Sequence, residues 1–461
     1  MNLKYEKKDI YSNLTDDELQ NADKLADEYI EFVDKSKTEY LCIENAIEIL
    51  KKNGFKNIEE VNKLQKSMKV YFVNKEKSLY AAVIGKDKLV NGVNMVGAHV
   101  DCPRLDLKPM PLYEKNNAAL LKTQFYGGIK KYQWMSIPLA MYGVIYDKDG
   151  NKINIRVGDT SDTLCFTIAD LLPHLSYDQM KLKANDFIDP EKMSILIGSN
   201  KDIEEKDSKN KTVKNNILKI LNKKYNITEI DFARSEISFV PAFSAKYVGF
   251  DKSMIGAYGQ DDRVCAYTTL KAITEIDSKK LNKTSIALLV DKEEIGSFGN
   301  TSMSSLTFDM FMNKLLKLTG EDADLLEVYY NSKMLSADVS TCVDPVHDEV
   351  SDIQNGNMLG CGIALEKYTG SGGKYNASDA NAKYVSEVMQ IFEKNNVFFQ
   401  LGTLGKIGKG GGGTIAYILA QKGVDVIDCG TPVLAMHSPF EVTSKYDVYM
   451  TYRAYKVFFE N

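Results

Sequence analysis

The chain has 461 residues and a nearly balanced charge, with 58 lysines and arginines against 63 aspartates and glutamates. This length allows two or three domains with separate cores. The charges form no basic block, so nucleic acid is not expected as a partner. No apolar run approaches the length that spans a bilayer, and the first ten residues lack the apolar core of a secretory signal. The sequence therefore predicts a cytoplasmic protein with no membrane partner, and seven cysteines without a C-x-x-C pair fit reduced thiols there.

The N-terminal region is predicted to be helical. Thr15 is followed three residues later by Glu18, which is a capping-box pattern, and apolar residues then recur at helical spacing. Two amphipathic helices are expected, at roughly 15 to 35 and 38 to 53, with an Asn-Gly pair closing the second. Residues 68 to 101 then carry three strand-like runs.

The segment between Asp101 and about Val240 has a different character. It is rich in alternating β-branched and aromatic residues, with turn signals at residues 127–128 and 149–150. It also contains the most polar stretch, residues 200–216, which is expected to be a surface insertion or a mobile loop. Strand and helix patterns alternate again after about Pro241. The sequence thus predicts a discontinuous α/β domain, residues 1–104 and 241–461, interrupted by a mainly β insert over residues 105–240.

An apolar run from Ser285 to Val290 has the length of a buried strand, and it is followed by Asp291, Glu293 and Glu294. Two adjacent glutamates at the end of a buried strand cannot both stay ionised without a compensating positive charge. The pattern therefore indicates a metal ion or a shared proton. For this pair taken alone, a solvated acidic loop is the alternative.

Four further apolar segments also end in residues of metal-ligand type. These endings carry His99 with Asp101, Asp261 with Asp262, Asp338, and His437. Open α/β sheets bind their ligands outside the carboxyl ends of the strands. Five such endings in one chain favour a common site, and histidine and carboxylate ligands in this number suit two divalent ions that share one carboxylate.

Residues 405–414 form a glycine-rich segment, GKIGKGGGGT. The segment is not a P-loop, because its Gly-Lys pair is followed by glycine rather than by serine or threonine. Gly412 and Gly413 belong to a run of glycines that permits a ligand to approach the backbone closely, and they are candidate substrate-binding residues. Thr414 is expected to open a helix whose amides suit an anion. A tight strand-to-helix turn is the alternative interpretation of this segment.

Five motifs stand in a fixed order along the chain: GAHVDCPRLDLKP (97–109), GQDDRV (259–264), DKEEIGS (291–297), SADVS (336–340) and MHSPFEV (436–442). Together they resemble the successive signatures of the M18 family of metallo-aminopeptidases, the aspartyl aminopeptidase family. The resemblance covers essentially the whole chain. It implies a zinc-peptidase-like catalytic domain with a central mixed sheet flanked by helices, broken by an inserted dimerisation domain. It also implies homo-oligomers in which dimers assemble into a dodecamer.

The resemblance implies an enzyme that removes the N-terminal residue of peptide substrates with two divalent ions, most simply Zn²⁺, with Co²⁺ or Mn²⁺ as alternatives. Glu293 would be the general base that takes a proton from a bridging water. Asp261 would bridge the metals, although Asp262 replaces the usual asparagine beside it, which leaves both aspartates as candidates. The remaining metal ligands would be His99, Glu294, Asp338 and His437. Asp101 would fix the tautomer of the His99 imidazole.

Two further roles come from the resemblance. His174, in the insert, would reach the active site of a neighbouring subunit; a surface histidine is the alternative. Lys374 lies near the position of a lysine that favours acidic N-terminal residues. The competing functions are a metal-dependent dipeptidase or N-acyl amino acid deacylase with the same ligands, and a non-enzymatic assembly scaffold. The scaffold is disfavoured because every position needed for chemistry carries a competent side chain.

Overall fold

The computed structural model describes residues 3–159 and 162–461. The chain forms two compact units. The first unit consists of three segments, which are the chain up to Asp101, residues Ala245–Met436 and residues Phe440–Asn461. The second unit comprises Cys102–Ser244 and His437–Pro439. Among the described residues, none of the helices combines the length and the apolar character that crossing a membrane requires.

The α-helices of the described chain are α1 (Asp16–Lys35), α2 (Glu39–Lys52), α3 (Ala184–Phe187), α4 (Val213–Tyr225), α5 (Gln260–Glu275), α6 (Thr307–Thr319), α7 (Leu325–Tyr330), α8 (Ala382–Lys394), α9 (Ala416–Ala420) and α10 (Lys445–Glu460).

The strands are β1 (Lys56–Asn57), β2 (Lys69–Asn74), β3 (Ser78–Val83), β4 (Asn94–His99), β5 (Arg104–Lys115), β6 (Ala118–Tyr126), β7 (Leu139–Tyr146), β8 (Lys152–Val157), β9 (Ile195–Gly198), β10 (Ser235–Pro241), β11 (Lys246–Val248), β12 (Met254–Ala257), β13 (Ser285–Val290), β14 (Lys333–Ser336), β15 (Ser340–Thr341), β16 (Ile363–Glu366), β17 (Phe399–Leu401), β18 (Asp425–Gly430), β19 (Pro432–Leu434) and β20 (Glu441–Ser444).

The two N-terminal helices lie where the sequence predicts them. The Thr15 hydroxyl accepts a hydrogen bond from the Glu18 amide, and the Glu18 carboxylate accepts one from the Thr15 amide, so that the predicted capping box is present. Helix α2 is capped by Thr38, whose hydroxyl accepts the Leu41 amide without a reciprocal side-chain bond from the third helical residue. The apolar faces of both helices are buried against the core of the first unit.

The first unit is built on a nine-stranded mixed sheet with the order β1-β2-β3-β13-β4-β14-β18-β16-β17. Side chains of a strand alternate between its two faces. In β13, Ala287 and Leu289 pack with α1, α2, α5, α8 and α10, whereas Ile286 and Leu288 pack with α6, α7 and α9. The sheet is therefore covered by helices on both faces, and the predicted α/β class is confirmed. A smaller sheet, β11-β12-β20-β19-β15, completes this unit.

The second unit contains a six-stranded sheet with the order β8-β7-β10-β5-β6-β9, in which every pair is antiparallel. The polar stretch at 200–216 is not wholly a loop, because its last four residues begin α4. The Thr212 hydroxyl starts that helix by accepting the Asn215 amide at 3.0 Å. Seven large apolar side chains of residues 164–182 are between 49 % and 73 % exposed: Leu164, Leu171, Leu172, Leu175, Tyr177, Met180 and Leu182.

Candidate metal centre

Four neighbouring strands of the large sheet, β13, β4, β14 and β18, run parallel to one another. Their register aligns Val290 with His99, and Ser336 with both Gly97 and Asp428. The carboxyl ends of all four strands therefore meet at one edge of the sheet, which is the ligand-binding edge of open α/β sheets. We call the predicted site residues of the first unit that gather there the acidic edge: His99, Asp101, Asp261, Glu293, Glu294 and Asp338.

His99 lies at the centre of the acidic edge, and only 2 % of it is exposed. Its Nε2 atom is 3.1 Å from Asp261 Oδ1 and 3.7 Å from Asp338 Oδ1. Its Nδ1 atom is 2.9 Å from the backbone oxygen of Asp101. A carbonyl oxygen can only accept a hydrogen bond, so Nδ1 keeps its proton, and the neutral form of the ring is the tautomer with an unprotonated Nε2 on the side of the aspartates. This tautomer is the one that a metal bound at Nε2 requires.

Within the described part of the chain, two groups of three residues can each gather ligand atoms within 4.8 Å of one another. One group is His99, Asp261 and Glu294, and the other is His99, Glu293 and Asp338. One imidazole and several carboxylates form a donor set that suits borderline divalent ions such as Zn²⁺. The residues present therefore fit the metal ions that the sequence predicts at this edge.

Asp101 holds the turn that carries the two glutamates. Its Oδ1 accepts the Glu293 amide at 3.1 Å, and its Oδ2 accepts the Glu294 amide at 3.2 Å. Both carboxylate oxygens thus brace the short 3₁₀ turn Glu293–Ile295, while the carbonyl of the same residue orients His99. The family resemblance implies only the second of these two tasks, and it assigns that task to the Asp101 carboxylate, which lies at 3.4 Å from His99 Nδ1.

Asp261 and Asp262 have different surroundings at the start of α5. Asp261 faces His99 Nε2, whereas the Asp262 Oδ2 atom accepts the backbone amide of His99 at 3.2 Å. The peptide bond that joins the two aspartates is cis. Of the two candidates for the bridging carboxylate, Asp261 is the one that belongs to a possible ligand group.

Glu441 and Gln260 are site residues that the sequence reasoning did not single out. The Glu441 Oε2 atom accepts the Asp261 amide at 3.2 Å, and its backbone oxygen accepts the Gln260 side-chain amide at 2.7 Å. Tyr29 in α1 donates its hydroxyl to Gln260 Oε1 at 3.3 Å. Glu441 and Gln260 are both buried. The available signal was their position within the GQDDRV and MHSPFEV motifs.

The acidic edge holds an excess of buried negative charge. Burial raises the pKa of Glu293 to about 8; His99 opposes this shift, and neighbouring aspartates add to it. Burial lowers the pKa of His99, but hydrogen bonds with Asp101, Asp261 and Asp338 outweigh that effect and raise it well above the usual value. Such mutual shifts are expected when several carboxylates share one desolvated space, and a bound cation would relieve them.

The glycine-rich segment lines a cavity with its first residues and contacts two strands of the large sheet with Thr414. The Thr414 hydroxyl donates a hydrogen bond to Asp428 at 2.6 Å, and it accepts a hydrogen bond at 3.4 Å from Ser336, at the end of β14. Gly370 donates its amide to the Gly412 oxygen at 2.6 Å. The cavity has a volume of about 600 Å³ and is lined by parts of 351–355, 368–374 and 403–410. The helix expected at Thr414 begins at Ala416 and has five residues.

Lys374 lines this cavity. Its Nζ atom is 3.1 Å from Asp379 Oδ2 and 4.2 Å from the centre of the Tyr368 ring. Gly412 and Gly413, the other candidate substrate-binding residues, are exposed. The lysine is therefore placed beside a cavity large enough for an amino-acid side chain, and it already has an anionic partner.

His437 and His174 belong to the second unit. His437 Nδ1 is 2.9 Å from the Gly128 oxygen. Its backbone has φ of +65°, a conformation that non-glycine residues rarely adopt outside turns and functional sites. His174 is exposed in the 3₁₀ turn Pro173–Leu175, among the exposed apolar side chains of 164–182.

Comparisons with known proteins agree across the chain. A model of the family described as aminopeptidase I zinc metalloprotease (M18) matches residues 32–459. A probable M18 family aminopeptidase 1 of Clostridium acetobutylicum is 45 % identical over 464 residues, which cover 99 % of this chain and 98 % of the relative. The crystal structure of an M18 family aminopeptidase from Thermotoga maritima is 42 % identical, with a TM-score of 0.94 and 99 % of each chain covered. That of aminopeptidase I from Clostridium acetobutylicum is also 42 % identical, with a TM-score of 0.94 and both chains fully covered.

Proposed function

Because the chain belongs to the M18 family of aminopeptidase I zinc metalloproteases and is therefore a peptide-bond hydrolase, we propose that it cleaves the first residue from peptides at the acidic edge with two divalent ions. The observation that carries the proposal is the pair of overlapping ligand groups around His99. A single buried carboxylate does not identify a metal site. Several carboxylates around one imidazole, at the carboxyl ends of parallel strands, are suited to holding metal ions.

In this proposal Asp261 would be the carboxylate that both ions share, and His99 and Asp338 would complete one metal site. Glu294 and His437 would complete the other, the histidine on the family resemblance. Bound there, the two ions would acidify a water molecule and polarise the carbonyl of the scissile peptide bond. Zn²⁺ is the simplest choice, with Co²⁺ or Mn²⁺ as alternatives.

The chain itself supplies the proton transfer. Glu293 is the proposed general base, which accepts a proton from the attacking water and returns it to the amine of the departing peptide. Its amide is held by Asp101, so that its position is fixed relative to His99. Glu293 is also a member of one possible ligand group. Replacing Glu293 and Glu294 separately by glutamine therefore distinguishes the base from the ligand.

The experiment combines metal analysis with a substrate panel. Purified protein supplied with Zn²⁺, Co²⁺ or Mn²⁺ should bind two ions per chain, release amino acids from aminoacyl amides and lose this activity to a chelator. N-acetyl amino acids and dipeptides serve as the comparison substrates. One ion or none in active protein would refute the dinuclear centre. Release of acetate without cleavage of aminoacyl amides would favour the deacylase instead.

We also propose that the chain works as a homo-oligomer, built from dimers and reaching a dodecamer as the family resemblance implies. The exposed apolar side chains of 164–182 support this proposal, since a concentration of large exposed apolar residues in one segment is typical of protein interaction sites. His174 lies within that segment. If it acts in a partner's active site, mixing a His174→Ala chain with a Glu293→Gln chain should restore activity that neither has alone. Mixed oligomers that stay inactive would remove the support for this role.

A further inference from the structure

Asp338, a proposed metal ligand, lies in a short break between two paired stretches of parallel strands. Before the break, β14 pairs with β18 so that Ser336 is level with Asp428. After the break, β15 pairs with β19 in the same register, so that no residue is inserted in either chain. Asp338 therefore stands opposite Gly430, the last residue of β18.

Hydrogen bonds hold the backbone on both sides of Asp338. The Ala337 amide donates to the Gly97 oxygen of β4 at 2.7 Å, and the Ser340 amide donates to the Thr431 oxygen at 3.0 Å. Strand β4 is the one that ends in the central imidazole of the acidic edge. The segment that carries Asp338 is thus tied both to β4 and to the residue that follows β18.

The backbone of Asp338 fills the space that a side chain at position 430 would need. A Cβ atom added to Gly430 would lie 1.6 Å from the Asp338 carbonyl oxygen and 2.5 Å from its carbonyl carbon. Gly430 does not have a positive φ, so glycine is required here by the close approach of the two chains. Because non-bonded heavy atoms prefer a separation of about 3.5 Å, any side chain would force the two backbones more than about 1 Å apart.

We propose that Gly430 is a positioning residue of the metal centre. Its missing side chain lets the Asp338 backbone lie where the carboxylate of that residue reaches the ion that His99 would bind, and this inference rests on the proposed function. Asp338 Oδ1 lies 3.7 Å from His99 Nε2, and both residues belong to one possible ligand group. Distances from ligands to a metal vary by only about 0.2 Å, much less than the displacement that a side chain at position 430 would cause.

The test is a calorimetric titration of Zn²⁺ into the metal-free Gly430→Ala protein and the metal-free wild type. In the proposed centre, Asp338 is a ligand of one ion only. One of the two ions should therefore bind about 10- to 100-fold more weakly in the variant, the loss that mutation of outer-shell partners of a metal causes. The other ion should bind as in the wild type.

Gly85→Ala is the matched control, since Gly85 lies at the amino end of β13, away from the acidic edge. A Cβ atom there would lie 2.3 Å from the Asn282 oxygen and 2.4 Å from the Lys283 carbonyl carbon, and Gly85 likewise has no positive φ. Both variants should be less stable to urea, because each adds a collision between a side chain and a neighbouring backbone. Only Gly430→Ala should lower the affinity for Zn²⁺.

A Gly430→Ala protein that binds both ions as tightly as the wild type overturns the inference, and so does an equal loss of affinity in Gly85→Ala. If Gly430→Ala does not fold, the double variant Asp338→Gly/Gly430→Ala decides, because glycine at position 338 lets the carbonyl group turn away. A folded double variant, detected by circular dichroism, supports the inference, whereas an unfolded one overturns it. A wild type that binds no Zn²⁺ is a different result, since it refutes the proposed metal centre and with it any positioning role.

Discussion

Buried carboxyl groups occur in two kinds of surroundings in the first unit. At the acidic edge, several carboxylates share one desolvated space with a single imidazole. Elsewhere, buried carboxyl groups take their hydrogen bonds from neutral donors, although Asp338 of the acidic edge still adds to the raised pKa of Glu366. Glu366 accepts hydrogen bonds from the Ser340 hydroxyl and, at 3.0 Å, from the Asn357 amide. Asp447, in α10, accepts the amides of residues 360 and 362, each at 2.8 Å.

Burial raises the pKa in both kinds of surroundings, including those of Glu366 and Asp447. A raised pKa therefore does not distinguish a metal site from a structural one. The difference is the number of carboxylates that must be charged at the same time. A single buried carboxyl group can stay protonated and keep its hydrogen bonds to neutral partners. Several carboxylates that share one desolvated space require a cation to stay charged together. Replacing a carboxylate by its amide separates the two cases.

The largest effect is expected for Glu293→Gln. The amide cannot accept the proton, so kcat should fall by roughly 10²- to 10⁴-fold, while KM changes little because the ligands still hold the substrate. Both metals should remain bound. Steady-state kinetics and metal analysis of the same sample test this prediction. A Glu293→Gln protein that has lost a metal would show that this glutamate is a ligand.

Glu294→Gln should show the opposite pattern. Removal of one anionic ligand weakens one metal site, and we expect a loss of at least about 10- to 100-fold in affinity, the amount that mutation of outer-shell partners already causes. Activity should recover in part when the metal concentration is raised. Titration of metal into the stripped protein measures this affinity. An unchanged affinity would mean that the roles of Glu293 and Glu294 are reversed.

The strand ends of the acidic edge are the part of the fold that the sequence predicts well. The apolar run from Ser285 to Val290 coincides with β13 at both ends. The length and the apolar character of such a run fix the strand, and the parallel register of neighbouring strands then places the following residues together. This is why His99 and Glu293, 194 positions apart, could be assigned to one site.

Contacts made by irregular segments and by buried polar groups were not predictable in this way. The hydrogen bond from the Asp261 amide to Glu441 joins residues 180 positions apart, and no periodic pattern announces it. The ion pair of Lys374 with Asp379 depends on positive φ values in a glycine-containing loop, whose path the sequence does not specify. The neutral partners of Glu366 likewise come from two separate segments.

A smaller effect, on stability, is expected for Asp447. Burial raises its pKa to about 7, against about 3.9 in the unfolded chain. The folded state thus binds the proton more tightly, so this contribution to stability is complete below about pH 4 and is lost as the pH rises through 7. Asp447→Asn does not titrate. The difference in unfolding free energy between variant and wild type should therefore change with pH by up to about 1.4 kcal/mol per pH unit.

Urea unfolding of both proteins between pH 4 and pH 8 measures this difference. If Asp447→Asn loses one hydrogen bond to a backbone amide, its free energy of unfolding changes by the same amount at every pH. The slope of the difference against pH is then unaffected. Asp277→Asn serves as an exposed control and should follow the wild type. Parallel curves for Asp447→Asn and the wild type would show that Asp447 is ionised in the folded protein.

The smallest effect is expected for Glu366→Gln. Glutamine keeps an oxygen that can accept hydrogen bonds from Ser340 and Asn357. The raised pKa of Glu366 also means that replacing its carboxyl group by a neutral amide costs little stability. We expect kcat/KM to stay within about threefold and the free energy of unfolding to change by less than about 1 kcal/mol. Glu366→Ala should lower the free energy of unfolding by about 1–3 kcal/mol, because both donors then lose their buried acceptor.

Kinetics, metal analysis and urea unfolding of both Glu366 variants test this prediction. A Glu366→Gln protein that lost metal would place this residue functionally with the acidic edge, and burial among neutral donors would then no longer distinguish structural carboxyl groups from metal-binding ones.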